Sequence, residues 1–145
     1  MRFNDKRILV PVDGSEPAYR ALALAVEVAR GTGAIIDIVS VADTRHTELY
    51  DGYYMIGPKY EEITIEALTG VLKEAESRLP SDSPAHRTRL LRGAVSEVLL
   101  HEAAEEDVAA IVMGRTGKGF FGRMLEGSVS RTLAIHSPVP VMVAP

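Results

Sequence analysis

The first unit of the fold is encoded in residues 7–17, which read RILVPVDGSEP. The apolar run predicts a short strand that ends in a turn at Asp13-Gly14-Ser15. Ser15 is a residue type that caps helices, and Pro17 fits within a first helical turn. Apolar residues then recur at helical spacing, and the helix is expected to end at Gly31 and Gly33. The stretch therefore predicts a strand, a tight turn and an amphipathic helix.

The same alternation of strand and helix continues along the chain. Strands are predicted at 34–41, 86–92, 108–113 and 138–144, and helices at 60–79, 94–106 and 128–135. Residues 42–58 follow neither period and are expected to be irregular. The alternation implies a mostly parallel sheet with helices on both faces. The charges of 86–92 and the prolines of 138–144 place these two strands at the edges of the sheet.

Composition limits the class of protein. A length of 145 residues predicts a single domain, residues 1–145, and the 46% of hydrophobic residues is ordinary for a soluble globular domain. The net charge of −4 disfavours a general nucleic-acid-binding protein, and the absence of cysteine excludes disulfides, thiolate metal sites and cysteine nucleophiles. The first residues do not form a signal peptide, and no apolar run approaches a membrane span. We therefore expect a cytoplasmic protein with no nucleic-acid or membrane partner.

A glycine-rich, basic segment follows the fourth predicted strand, at residues 112–131, VMGRTGKGFFGRMLEGSVSR. It is not a P-loop, because Val112 stands where the first glycine is required and Gly119 replaces the Ser or Thr that would bind magnesium. It contains a GxGxxG string at 117–122, but the acidic residue that a dinucleotide site needs about 20 positions later is missing. Both of these common phosphate cradles are therefore rejected.

A third spacing, G-x2-G-x9-G-[ST], fits the segment. Its defined positions are filled by Gly114, Gly117, Gly127 and Ser128. A glycine at the end of a strand permits close approach to the backbone, and a second glycine permits the turn that follows. The free amides and the dipole of a helix that begins at Gly127-Ser128 favour an anion, and Arg115, Lys118 and Arg123 add positive charge nearby. The segment therefore predicts a phosphorylated ligand.

This spacing resembles the nucleotide-binding motif of the universal stress protein family. Two further segments are similar to that family: the opening ILVPVDGS at 8–15 and the closing SPVPVMV at 137–143. The resemblance covers the whole chain. It implies an α/β fold of the adenine nucleotide alpha hydrolase-like type, an open, doubly wound parallel sheet of five strands in the order 3-2-1-4-5 with helices on both faces. It also implies a homodimer formed through the C-terminal strand, Val139–Val143.

The resemblance further implies a site for ATP, because family members with the intact motif typically bind ATP; ADP and AMP stay open as the resident ligand. Asp13 would lie near the phosphates, acting through Mg²⁺ or Mn²⁺, and Val41 would offer backbone groups to adenine. The candidate nucleotide-binding residues are Pro11, Val12, Asp13, Val41, Met113, Gly114, Arg115, Gly117, Lys118, Gly127, Ser128, Val129 and Ser130.

Structural roles stay open for several of these residues. Asp13 alternatively serves only to cap its turn with Gly14, and Ser128 only to cap a helix. Tyr50, Tyr53 and Tyr54 either pin a loop to the surface or cover the ligand. The four histidines show no metal-binding spacing.

The implied function is a regulatory, ATP-binding homodimer in the stress response. A slow ATPase and a nucleotide-free dimerisation module remain alternatives, so whether the protein is an enzyme stays open. The sequence offers neither a nucleophilic triad nor a dedicated base to activate water, which rapid phosphoryl transfer requires. No catalytic residue is assigned, and at most slow hydrolysis of ATP is expected.

Overall fold

The computed structural model describes residues 3–43, 48–50, 53–55, 58–115 and 127–145. In chain order its elements are β1 (Arg7–Pro11), α1 (Glu16–Thr32), β2 (Ile35–Ala42), β3 (Glu48–Tyr50), β4 (Tyr53–Met55), α2 (Pro58–Ser77), β5 (His86–Arg92), α3 (Val95–Ala103), β6 (Val108–Gly114), α4 (Gly127–His136) and β7 (Val141–Ala144). Five strands form a parallel sheet in the order β5-β2-β1-β6-β7. Counted along the chain without β3 and β4, this order is 3-2-1-4-5, which confirms the predicted fold class.

The core lies in two layers, one on each face of the sheet. Successive side chains of a strand point to opposite faces. Ile8 and Val10 of β1 pack with apolar residues of α1 and α2, whereas Leu9 packs with Leu99 of α3 and Leu133 of α4 on the other face. Strands that are apolar on both faces are typical of a parallel sheet covered by helices. The predicted double covering of the sheet is confirmed.

Helix α1 begins and ends at the expected type of residue. The Ser15 hydroxyl accepts a hydrogen bond from the backbone N–H of Ala18 at 3.3 Å, so Ser15 is its N-cap. Gly33 adopts a left-handed conformation with φ of 77°, and its N–H donates to the carbonyl of Ala29. Gly31 was expected to help end the helix, but it lies inside the last turn. The left-handed residue, not the first glycine, therefore sets the end of α1.

The expectation of an irregular segment at 42–58 is wrong. Within it, β3 and β4 form an antiparallel pair, with Tyr50 opposite Tyr53. This register leaves two residues between the strands, Asp51-Gly52, which lie outside the described residues. An Asp-Gly pair between short strands is a strong hairpin signal, so the sequence did carry the information.

Both edge strands are confirmed, although the second is shorter than predicted. β5 and β7 lie at opposite ends of the sheet. β7 begins at Val141 instead of residue 138, because Pro138 and Pro140 have no N–H to donate to a neighbouring strand. The carbonyl of Pro140 still accepts a hydrogen bond from Ile111 of β6 at 2.9 Å. Helix α3 also ends early, at Ala103 rather than residue 106.

A charge cluster with the buried Asp37 at its centre lies near the amino ends of the strands. Its members are Arg7, Asp37, Arg87, Arg89, Glu102 and Asp107. The Asp37 carboxylate is fully buried and accepts hydrogen bonds from three arginines, with 2.7 Å contacts from both Arg7 and Arg89. From the sequence pattern, the charges of β5 were predicted to mark an edge strand, and this cluster was not predicted.

The charge cluster keeps its carboxylates ionised. Burial alone would raise the pKa of Asp37, but hydrogen bonds from Arg89, Arg87 and Arg7 outweigh it and hold that pKa below its ordinary value. The hydrogen bond from Arg89 is the main reason that the pKa of Glu102 is also lowered. Three arginines face three carboxylates, so the cluster is neutral overall. Its role is therefore to tie β1, β2, β5 and α3 together, away from the candidate ligand site.

Candidate functional site

The candidate site lies at the carboxyl edge of the sheet, where the order of the strands reverses. Strand β2 pairs with one side of β1. Strand β6, which comes later in the chain, pairs with the other side of β1. Asp13 follows β1 and Gly114 ends β6, so both residues lie at this edge. Open α/β sheets bind ligands in the crevice at such a reversal.

Asp13 is buried there with half of its carboxylate unused. The residue is only 4% exposed. Its Oδ1 accepts two hydrogen bonds from Ser15, from the backbone N–H at 3.0 Å and from the hydroxyl at 2.5 Å. Its Oδ2 is also buried, and within the described part of the chain it accepts no hydrogen bond. A buried carboxylate oxygen without a partner is costly, which makes this atom a candidate for binding a ligand.

The turn after Asp13 requires a glycine. Gly14 has φ of 87°, a left-handed conformation that side chains rarely adopt. This conformation brings the Ser15 N–H and hydroxyl back onto Asp13. The turn-capping role of Asp13 is therefore real, but it uses Oδ1 and leaves Oδ2 available.

Gly114 is required by helix packing at this edge. A Cβ atom at this position would lie 2.6 Å from the carbonyl carbon of Pro17, 2.8 Å from its oxygen and 2.9 Å from the nitrogen of Ala18. Real Cβ atoms essentially never approach backbone atoms so closely. The sequence-based explanation was that a ligand approaches Gly114. The structure instead brings the first turn of α1 against it, which gives this glycine a steric reason independent of any ligand.

Several predicted binding residues have side chains that belong to the core. Val12, Val41, Met113 and Val129 are all buried among apolar neighbours, and Pro11 is buried within β1. Only their backbone groups are therefore suited to polar contact with a nucleotide. Part of that backbone is already paired, since the Val12 N–H donates to Val39 at 2.8 Å and its carbonyl accepts from the Ser40 hydroxyl at 2.7 Å.

Helix α4 begins at Gly127, so the predicted helix at 128–135 is confirmed with one further residue at each end. The Ser130 hydroxyl donates to the carbonyl of Arg115 at 3.4 Å, which joins the first turn of α4 to the end of β6. Arg115 is exposed. The amino terminus of α4 and the end of β6 are thereby neighbours, as the predicted phosphate cradle requires.

Two predicted contacts lie outside the described residues. Gly117 and Lys118 fall in the segment 116–126, together with Arg123. Their roles stay predictions. Tyr50, Tyr53 and Tyr54 belong to the β3–β4 hairpin, and their role toward a ligand also stays a prediction.

Sequence reasoning missed two polar residues at this edge. Asp43 is a buried acid directly after β2, and Asp13 lies two residues after β1. Ser15 was assigned only to helix capping, yet its hydroxyl also donates to Asp13. The signal for Asp43 was available, since ligands of open α/β sheets bind beyond the carboxyl ends of the strands and Asp43 directly follows one.

Among the described residues, no group of three or more histidines and acids could hold a metal ion by itself. A cation at Asp13 would therefore need further ligands besides the described histidines and acids. In the same part of the chain, no helix has the length and apolar character of a membrane-crossing segment.

Comparison with known proteins shows one family. The sequence model described as the universal stress protein family matches residues 5–145. A Staphylococcus aureus (strain USA300) protein described as a universal stress protein is 33% identical over 140 residues, covering 95% of this chain and 82% of the relative.

Solved structures show the same fold. A universal stress protein family structure from Burkholderia pseudomallei is 29% identical with a TM-score of 0.72, over 97% of this chain and 96% of that one. A universal stress protein from Archaeoglobus fulgidus is 24% identical with a TM-score of 0.75, over 98% and 95% of the two chains. Another structure from that organism, solved in complex with dAMP, is 24% identical with a TM-score of 0.62, over 97% and 98%. The chain belongs to the universal stress protein family.

Proposed function

We propose that this protein binds an adenine nucleotide, ATP in the first instance, as a regulatory homodimer. The observation that carries the proposal is the buried Oδ2 of Asp13, which is unpartnered in the described part of the chain at the reversal point of the sheet. The intact glycine spacing from Gly114 to Ser128 supports it. The A. fulgidus structure with dAMP is too distant to assign a ligand. The residues of this chain support a phosphorylated ligand, and the choice of ATP follows from the family resemblance.

A divalent cation fits the Asp13 position. Mg²⁺ prefers oxygen ligands and is commonly held by one or two carboxylates together with substrate phosphates. Asp13 would supply one carboxylate oxygen, Oδ2, while Oδ1 stays bound to Ser15. When bound, the cation would neutralise phosphate charge at this edge. Mn²⁺ has similar chemistry and is an equal candidate.

The amino terminus of α4 supplies the complementary half of the site. The helix begins at Gly127, so its first backbone amides are free of intrahelical partners. Such amides and the helix dipole favour a phosphate group. The Ser130 hydroxyl lies 3.4 Å from the carbonyl of Arg115, so this terminus lies beside the end of β6. A nucleotide would then extend from the backbone of β1 and β2 toward α4.

Binding is favoured over rapid turnover. Fast phosphoryl transfer needs a positioned nucleophile or base in addition to metal and positive charge. The proposed site would supply a metal ligand and a phosphate cradle, and both would hold a ground-state nucleotide. Slow hydrolysis remains the alternative function, and the ratio of ATP to ADP bound over time separates the two.

The proposed homodimer would form through β7. This strand pairs with β6 on one side and ends the described sheet on the other. Val143 of β7 is 42% exposed, and Ile135 of α4 is 68% exposed nearby in sequence. An unpaired apolar edge is a template for pairing with a second chain. We expect Val143→Lys to give a monomer in light scattering. The control is Ile63→Lys, which changes an equally exposed residue on α2 and should leave a dimer. If both variants are dimers, β7 is not the interface.

The phosphate cradle is tested by a bulky residue at Gly127. Gly127→Leu should abolish ATP binding in calorimetric titration while the far-ultraviolet circular dichroism spectrum stays unchanged. Gly70→Leu is the matched control, because a Cβ at this helical, exposed glycine meets no atom within 4 Å. The control should bind ATP like the wild type. Retention of binding by Gly127→Leu would remove the cradle from the proposal.

A further inference from the structure

The Asp13 carboxylate is connected to the end of β6 through the first turn of α1. Ser15 donates its backbone N–H at 3.0 Å and its hydroxyl at 2.5 Å to Asp13 Oδ1. The same hydroxyl accepts from Ala18 at 3.3 Å, and the backbone of Pro17 and Ala18 rests against Gly114. All of these groups are buried.

We propose that Ser15 is a positioning residue of the nucleotide site, which fixes the Asp13 carboxylate so that Oδ2 is presented to the ligand's cation. The inference rests on the proposed function. Ser15 itself does not contact the ligand. Gly114 supports Ser15, because it lets the first turn of α1 lie against the end of β6.

The hydrogen-bonding capacity of a hydroxyl explains why Ser15 is suited to this role. A serine hydroxyl has one proton to donate and lone pairs that accept. Here the proton goes to Asp13, and a lone pair accepts the Ala18 amide. The rotation of the hydroxyl is thereby fixed from both sides. Because Ser15 is 3% exposed and Asp13 is 4% exposed, water competes little for these contacts.

The two bonds to Oδ1 also fix the carboxylate as a whole. With only one of them, the plane of the carboxylate could turn about the Cβ–Cγ bond and carry Oδ2 away from its present position. With both, Oδ1 is committed to the turn and Oδ2 is the oxygen left without a partner in the described part of the chain. The structure therefore divides one carboxylate into a structural oxygen and a ligand oxygen.

This arrangement gives the first glycine of the motif an indirect part in binding. A side chain at Gly114 would push Pro17 and Ala18 away from β6, because the nearest backbone atom lies 2.6 Å from its Cβ. Displacement of Ala18 would break its bond to Ser15 and loosen the Asp13 carboxylate. Gly114 thus acts through the helix turn, without needing to touch a phosphate.

The test compares ATP affinity in Mg²⁺ and in EDTA for variants of Ser15. Ser15→Ala and Ser15→Gly both remove the hydroxyl, and glycine keeps most of the capping contribution, so folding is preserved. We expect each to bind Mg·ATP about tenfold more weakly, because a carboxylate that is no longer held must be ordered again when the cation binds. In EDTA they should match the wild type. Ser15→Thr, which keeps a hydroxyl, should recover affinity to within about threefold of the wild type.

A second background separates positioning from a general structural effect. In an Asp13→Ala protein, Ser15→Ala should cause no further loss of affinity for Mg·ATP, because the residue it orients is gone. An equal loss in Mg²⁺ and in EDTA, or a further loss in the Asp13→Ala background, would overturn the positioning role. So would full affinity of both Ser15→Ala and Ser15→Gly. Failure of the wild type to bind Mg·ATP would instead overturn the proposed function, and the positioning role with it.

Discussion

Removal of the Asp37 charge tests how much the charge cluster stabilises the fold. Asp37→Asn keeps the size of the side chain but places a neutral amide among three arginines. Breaking a buried ion pair by neutralising one partner costs about 3–5 kcal/mol. Arg7 keeps Glu102 and Asp107 as partners, and Arg87 is half exposed, so the lower end of that range applies. We expect a loss of about 3 kcal/mol in the free energy of unfolding.

Urea unfolding followed by circular dichroism measures this loss. With a slope of about 2 kcal/mol per molar urea, the midpoint should fall by about 1.5 M. Asp82→Asn is the matched control, because Asp82 pairs with Arg30 at 2.9 Å at an exposed position. It should change stability by less than about 0.5 kcal/mol. Equal, small shifts for the two variants would refute the conclusion that the charge cluster holds the sheet and α3 together.

Three further predictions concern pH and two glycines. The pKa values of Asp37 and Glu102 are lowered, so the folded protein binds fewer protons than the unfolded chain at acid pH. The stabilisation that these two carboxylates provide is complete above their ordinary pKa values of 3.8 and 4.5, and it is lost as the pH falls through the lowered values of the folded protein. Urea midpoints measured from neutral pH into this acid range should therefore fall more steeply for the wild type than for Asp37→Asn. Equal falls in the midpoint for the two proteins would contradict a role of the Asp37 charge in the acid sensitivity. Gly31→Ala, where a Cβ meets no atom within 4 Å inside α1, should raise stability by about 0.5–1 kcal/mol. Gly114→Ala should lower the free energy of unfolding by about 1–3 kcal/mol, because the new Cβ displaces the first turn of α1. An unchanged thermal unfolding transition would show that this turn moves freely.

The elements that sequence predicted well are those governed by local patterns. The Ser15 cap and the apolar stripe of α1 are set within a few residues, and both appear as expected. The strand order followed from a family resemblance rather than from periodicity. The β3–β4 hairpin was missed because its strands have three residues each, too short for a period of two to be recognised, although Asp51-Gly52 signalled its turn.

The features that escaped prediction depend on contacts between distant parts of the chain. Asp37 meets Arg87 and Arg89 only when β2 pairs with β5, so the sequence alone shows one acid in an apolar strand and charges on an edge. The requirement for glycine at position 114 likewise comes from its contact with Pro17, nearly a hundred positions earlier. For the site, sequence identified Asp13 as a candidate. The binding of Oδ1 to Ser15, with Oδ2 left without a partner in the described part of the chain, is visible only in the three-dimensional structure.

The central claim is that the carboxyl edge beside Asp13 holds an adenine nucleotide. The most direct measurement is the nucleotide content of the purified protein, denatured and separated by anion exchange with detection at about 260 nm, followed by titration of the emptied protein with ATP and Mg²⁺. We predict that the protein carries close to one ATP or ADP per chain, or that it binds ATP saturably on titration. In either case, Asp13→Ala should remove the Mg²⁺-dependent part of the affinity. An empty supernatant together with no heat and no thermal shift at millimolar Mg·ATP would contradict the claim and favour a nucleotide-free dimerisation module.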